Sequence, residues 1–187
     1  MIGNDVVDLA VAKKQSDWCR IGFLNKIFTK QEQYIINNAT DSFKAVWLLW
    51  SMKESVYKVY CQQNNTRFFA PKKFVCTINN SQNTVCIDGT TYYVTSKISQ
   101  KSIHTIASLT KEENITTNIF MLKNNSYTVQ HNTVYNQLKS AISNKFNIPF
   151  DQLKIEKNNK GIPFVIHPKI NSISMSHHGY FGAYAFS

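Results

Sequence analysis

The chain has 187 residues, 43% hydrophobic and 13% aromatic, enough to bury a core as one domain or as two small ones. No uninterrupted apolar stretch is long enough to cross a bilayer, and Asp5 and Asp8 break the region where a signal peptide would carry its apolar run, so a cytosolic (cytoplasmic) protein is expected. A formal charge of +10, from 21 Lys and Arg against 11 Asp and Glu, calls for an acidic partner; nucleic acid is disfavoured because the positive residues are scattered in ones and twos and no nucleic-acid motif is present.

Ile2, Val6, Val7 and Leu9 give a short, largely apolar strand signal interrupted by Asp5 and Asp8. A carboxylate inside such a run is costly unless it binds something. Side chains alternate along a strand, so Asp5 shares a face with Val7 while Asp8 points away. Thr29 with Glu32 three residues on makes a capping box for a helix running towards Asn37, and a cap is the favoured reading of Glu32. From Phe43 to about Cys61 there is no Gly or Pro, and Phe43, Val46, Trp47, Trp50 and Tyr57 recur at helical spacing, which predicts a long helix. Glu54 and Lys58 stand four residues apart beside its apolar stripe. Such a pair supports a helix by roughly 0.2–0.5 kcal/mol and needs no further role. Joined to Asp5, however, Glu54 can hold a hard cation such as Mg2+, which in phosphate sites is bound by one or two carboxylates with substrate oxygens completing the shell. Lys58 would sit beside the same oxygens as a compact point charge.

Short strands are expected over 73–77, 83–88, 92–98 and 103–109, with Asp88-Gly89 as a hairpin turn. Residues 118–122 read as another strand, Leu138, Ile142 and Phe146 mark a helix over 135–146, and 153–157 return to strand. The end of the chain reads as strand, tight break at Gly179, strand. Each half is a long helix with a small antiparallel sheet, an α+β pattern, with no Pro/Gly-rich linker between them. Cys19, Cys61, Cys76 and Cys86 lack Cys-x-x-Cys spacing and are read as buried thiols rather than disulfides or zinc ligands.

Three distant segments then resemble one signature. Gly3-Asn4-Asp5, Lys53-Glu54-Ser55-Val56-Tyr57-Lys58 and Ser174-Met175-Ser176-His177-His178-Gly179 are similar to the Gly-x-Asp strand, the Lys-Glu-x-x-x-Lys helix and the Ser-His segment of 4'-phosphopantetheinyl transferases. Residues 23–32 resemble the stretch between the first two motifs. Residues 157–164 resemble the family's Gly-Lys-Pro turn, with Ile162 in the Lys position and Lys160 as a substitute. The order looks circularly permuted relative to the two-lobed enzymes, with the Asp and Lys-Glu lobe over 1–112 and the Ser-His lobe over 113–187. Residues 101–109 resemble a lobe ending of their own, which suggests an internal duplication.

The resemblance implies two similar α+β lobes and transfer of the 4'-phosphopantetheine arm of coenzyme A to a Ser of an acyl or peptidyl carrier protein, releasing adenosine 3',5'-bisphosphate. Asp5 and Glu54 would hold Mg2+, Lys58 would stabilise or protonate the leaving phosphate, and Ser176 and His177 would grip the nucleotide end. Glu54, directly or through water, is the candidate to accept the proton of the incoming Ser. Lys53 is either a further phosphate contact or a solvated helix Lys. Both halves of the cleft lie in one chain, so a monomer is expected, and acidic carrier and coenzyme A both suit the positive charge. Two other readings stay open: a non-catalytic lobe pair that binds carrier proteins, and a basic nucleic-acid-binding module.

Overall fold

A computed structural model describes residues 1–68, 70–111 and 114–187 of the chain. The expected lobe boundary between 112 and 113 falls outside the described residues. The first strand, β1 (Ile2–Asp8), is buried on both faces along most of its length. It is followed by three short helices, α1 (Leu9–Gln15), α2 (Phe23–Ile27) and α3 (Lys30–Asn37), and then by the 23-residue α4 (Ser42–Asn64). Strands β2 (Val75–Thr77), β3 (Asn83–Ile87), β4 (Thr90–Ile98) and β5 (Ser102–Ser108) come next. They form an antiparallel sheet with β1 in the order β1-β5-β4-β3-β2. Asp88 and Gly89 both take positive φ, 49° and 77°, which is the turn that matches the twist of a tight hairpin.

Helix α4 lies across β1 and β5. Its start is capped by Asp41 Oδ1, which accepts from Lys44 N at 3.0 Å. Leu49, Met52, Val56 and Val59 are fully buried against Phe28, Ile36 and Ile103, and each such side chain contributes about 1.5–3 kcal/mol on leaving water. The helix approaches β1 so closely that a Cβ on Gly3 would stand 1.9 Å from the Ser55 carbonyl oxygen. Only glycine fits there, and the close approach brings Asp5 beside the helix face that carries Glu54 and Lys58.

The remaining strands, β6 (Thr116–Met121), β9 (Ile173–His178) and β10 (Phe181–Phe186), make a second antiparallel sheet in the order β6-β10-β9. The 20-residue α5 (Tyr127–Phe146) packs on it, and a small hairpin of β7 (Ile155–Lys157) and β8 (Pro163–Val165) flanks β9. Leu138, Ile142, Leu153, Ile173 and Phe186 form a separate core there. The architecture is therefore α+β, with a long helix on each of two antiparallel sheets.

The two sheets meet at the free edge of β1 through side chains. Ser172 Oγ accepts from Ile2 N at 2.7 Å, Ser174 Oγ from Asn4 N at 2.9 Å, and His178 Nδ1 from Asp8 N at 2.9 Å. Gln62 Nε2 donates to the Ile2 carbonyl at 2.8 Å. The outward N–H groups of Ile2, Asn4 and Asp8 are thus satisfied without a ladder, as burial of an edge requires.

Several elements differ from the sequence expectation. Leu9 starts α1 instead of ending the strand, because Asp8 caps that helix through Oδ1, accepting from Ala10 N and Val11 N at 3.0 and 3.1 Å. Helix α5 begins at Tyr127, eight positions before Tyr135, and β2 begins at Val75 after a single 3-10 turn over Pro71–Lys73. Among the described residues no helix is long and apolar enough to cross a membrane.

Candidate functional site

Where β1, α4 and β9 converge, a cleft of about 280 Å³ opens. Asp5 and Lys58 reach it from the first sheet and its helix; Ser176, His177 and Met175 reach it from the second sheet, and Tyr127, His131 and Lys157 from α5 and β7. The structure therefore gathers Asp5, Lys58, Ser176 and His177, four residues separated by up to 172 positions, around one space.

Lys58 spans the junction. Its Nζ donates to the Asn4 carbonyl at 2.5 Å and to the Met175 carbonyl at 3.4 Å, and stands 3.5 Å from Asp5 Oδ1. Two carbonyls and a carboxylate hold the ammonium where both sheets can use it. Asp5 is largely desolvated, and burial raises its pKa above the ordinary carboxylate range despite the opposing charge of Lys58. Glu54, one turn before Lys58 on α4, is pushed up to about 7 by burial and then by the Asp5 charge, with Lys58 opposing. The Asp5 charge is one of the causes that raise Glu54, so a cation near both carboxylates would relieve each of them. Among the described residues no group of three or more His, Cys, Asp or Glu is placed to hold a metal ion, so such a cation would take most of its ligands from substrate and water.

Glu54 lines a second hollow of about 430 Å³ on the other side of Tyr57, walled by Phe68 and Phe74, whose rings stack at 5.9 Å. A narrow space of about 140 Å³ shares Tyr57 and Arg67 with this hollow and Lys58, Pro163 and Met175 with the cleft. The α4 face carrying Glu54, Tyr57 and Lys58 thus runs beneath adjoining spaces, polar at the His177 end and aromatic at the Glu54 end.

Lys53 requires a correction. It is neither a phosphate contact nor a solvated helix Lys: it is 2% exposed, and its Nζ donates to Glu32 Oε1 at 2.7 Å, to the Pro71 carbonyl at 3.0 Å and to the Phe74 carbonyl at 2.5 Å. All three ammonium hydrogens are used, leaving none for a ligand. Glu32 does close the capping box with Thr29, accepting from Thr29 N at 2.8 Å, but it also accepts from Cys76 N at 2.8 Å and is fully buried, so it is more than a cap. The pair ties α3, α4 and the start of β2 together behind the aromatic hollow.

Asp8 commits both carboxylate oxygens to backbone N–H groups. Its second oxygen accepts from Tyr180 N at 2.9 Å, so its carboxylate joins the α1 cap to the β9–β10 turn. Lys160 sits on the exposed turn whose Gly161 has φ of 71°, outside the cleft lining, and Lys157, three residues earlier, lines the cleft. The expected Lys position, Ile162, is buried beside the narrow space.

Tyr127 and His131 escaped the sequence reading. Their rings stack at 6.0 Å, one turn apart, and His177 meets them edge-on at 5.4 and 6.4 Å. Had the helix been drawn from Ser126, their i, i+4 spacing would have placed them on one face. Burial first, and then neighbouring positive charge, lowers the pKa of both His131 and His177, favouring neutral rings. His178 is lowered by burial against the pull of Asp5 and Asp8, as its role as acceptor from Asp8 N requires.

Comparison with known proteins bears on the first sheet and its helix. A family model described as the 4'-phosphopantetheinyl transferase superfamily matches residues 1–117. No curated protein matches the chain.

Proposed function

The chain belongs to the 4'-phosphopantetheinyl transferase superfamily, and from that premise we propose that it moves the 4'-phosphopantetheine arm of coenzyme A onto a Ser hydroxyl of an acyl or peptidyl carrier protein, releasing adenosine 3',5'-bisphosphate. The observation that carries the proposal is the cleft into which Asp5 and Lys58 come from the matched region and Ser176 and His177 from the region beyond it.

Asp5 and Glu54 are the residues that would hold Mg2+, which when bound supplies positive charge to the pyrophosphate. The chain's own groups do the rest. The Ser oxygen of the carrier attacks the phosphorus bearing the pantetheine arm, and the bond from that phosphorus to the bridging oxygen breaks. Lys58, already fixed by two backbone carbonyls, meets the charge that develops on the leaving phosphate. Glu54, with a pKa near 7, is suited to take the Ser proton directly or through water at neutral pH. Ser176, His177, Tyr127 and His131 orient the nucleotide end, and Lys157 adds positive charge there. Positioning of this kind supplies much of the rate in phosphoryl transfer.

The natural acceptor is an acidic carrier, which suits the +10 charge, and the expected working form is a monomer in the cytoplasm. The test is incubation with coenzyme A, Mg2+ and an apo carrier, read by intact mass. Wild type should add one phosphopantetheine group per carrier, and Asp5→Ala should add none while staying folded. Wild-type turnover by Asp5→Ala at low Mg2+ would remove Asp5 from the mechanism.

A further inference from the structure

The side chain of Asn4, the middle residue of the Gly3-Asn4-Asp5 strand, has no role in the account above, yet the residue touches both halves of the cleft. Its backbone N–H donates to Ser174 Oγ and its carbonyl accepts from Lys58 Nζ, contacts that any residue at this position would make. Its side chain adds one more: Ser176 Oγ donates to Asn4 Oδ1 at 2.6 Å. The carboxamide is fully buried, and Nδ2 has no hydrogen-bond partner among the described residues. A buried amide with its donor unmet is a net cost to the fold, and an apolar side chain would avoid it. That cost needs a return elsewhere.

The direction of the Ser176 bond suggests what the return is. An anion in the cleft needs a donor, but the Ser176 proton is held by Asn4 Oδ1, so the hydroxyl offers the cleft only lone pairs. Half a turn of the carboxamide exchanges Oδ1 and Nδ2. The unpartnered Nδ2 then donates to Ser176 Oγ, and the Ser176 proton is released to a phosphate oxygen. We propose that Asn4 is a positioning residue that sets the donor direction of Ser176, holding its proton until a phosphorylated nucleotide enters and then surrendering it. The proposal rests on the reading of the cleft as a coenzyme A site and adds to it a residue that acts only through Ser176.

A double-mutant cycle on the full chain tests it, with adenosine 3',5'-bisphosphate titrated calorimetrically in the presence of Mg2+. Ser176→Ala should weaken binding about tenfold, the loss of one hydrogen bond to a charged oxygen. Asn4→Val should change the affinity only while Ser176 is present, so that the double variant binds as Ser176→Ala does. If Val at this position prevents folding, Asn4→Ala completes the cycle. A residue of merely structural importance would give losses that multiply in the double variant, and that result, or wild-type affinity in the Asn4 variant, would overturn the proposal. Absence of binding by the folded wild-type protein would instead overturn the coenzyme A reading, and this inference with it.

Discussion

Glu54 should make the empty protein less stable as pH rises, and Glu54→Gln should reverse that. The folded pKa of about 7 stands above the ordinary value of 4.5, so between those limits the native state binds more protons than the unfolded chain. The stability contributed by keeping Glu54 protonated is full below about pH 4.5 and is lost as pH climbs through about 7. At about 1.4 kcal/mol for each pH unit, the displacement amounts to about 3 kcal/mol, a large share of a domain's stability. Gln has the same shape and cannot ionise. Urea unfolding in EDTA at a series of pH values should show Glu54→Gln more stable than wild type by up to about 3 kcal/mol at pH 8, with the difference vanishing near pH 4. Mg2+ should stabilise wild type at pH 8 and leave the variant unaffected. A variant that is no more stable than wild type at pH 8, or a difference that ignores pH, would refute the reasoning.

Lys53→Met should destabilise the fold by about 3–5 kcal/mol in chemical denaturation, because it strands the buried Glu32 carboxylate. Asp8→Asn should cost about 1–2 kcal/mol, since one amide oxygen can keep the α1 cap but the amide nitrogen opposes Tyr180 N, and the Mg2+ dependence of turnover should not change. Raising ionic strength to about 0.5 M should raise the carrier KM, as screening of exposed charge sets in within a few ångströms at such salt. Specific activity should stay constant on dilution in parallel with a monomeric sedimentation profile; loss of activity with loss of an oligomer would contradict the single-chain cleft.

Much of the architecture was legible because its signals are local. The uninterrupted apolar spacing from Phe43 announced α4, the Thr29–Glu32 box announced α3, and the Asp88-Gly89 and Gly179 turns announced their hairpins. Helix α1 was not legible, because its cap, Asp8, is also the last residue of β1 and leaves no break to read. The start of α5 was hidden by a polar first turn: Tyr127, Gln130 and His131 give little apolar period. That Asp5 and Lys58 come together at the cleft was legible because a carboxylate in an apolar strand and a charge beside an apolar stripe both demand partners. Lys53 misled for the same reason. Its partner, Glu32, lies 21 positions away on another helix, and no local pattern reveals a buried pair of that separation. Ser174 and Ser176 read as part of a motif, whereas the structure shows Ser174 capping the edge of β1 together with Ser172, and Ser176 bonded to Asn4.

The most direct test of the central claim is the mass of an apo carrier protein after incubation with the wild-type chain, coenzyme A and Mg2+. The carrier should gain one phosphopantetheine group at its Ser, with adenosine 3',5'-bisphosphate released in equal amount and neither product formed by Lys58→Ala. An unchanged carrier mass across several acidic carriers that a known transferase modifies under the same conditions, with the chain folded, would contradict the account.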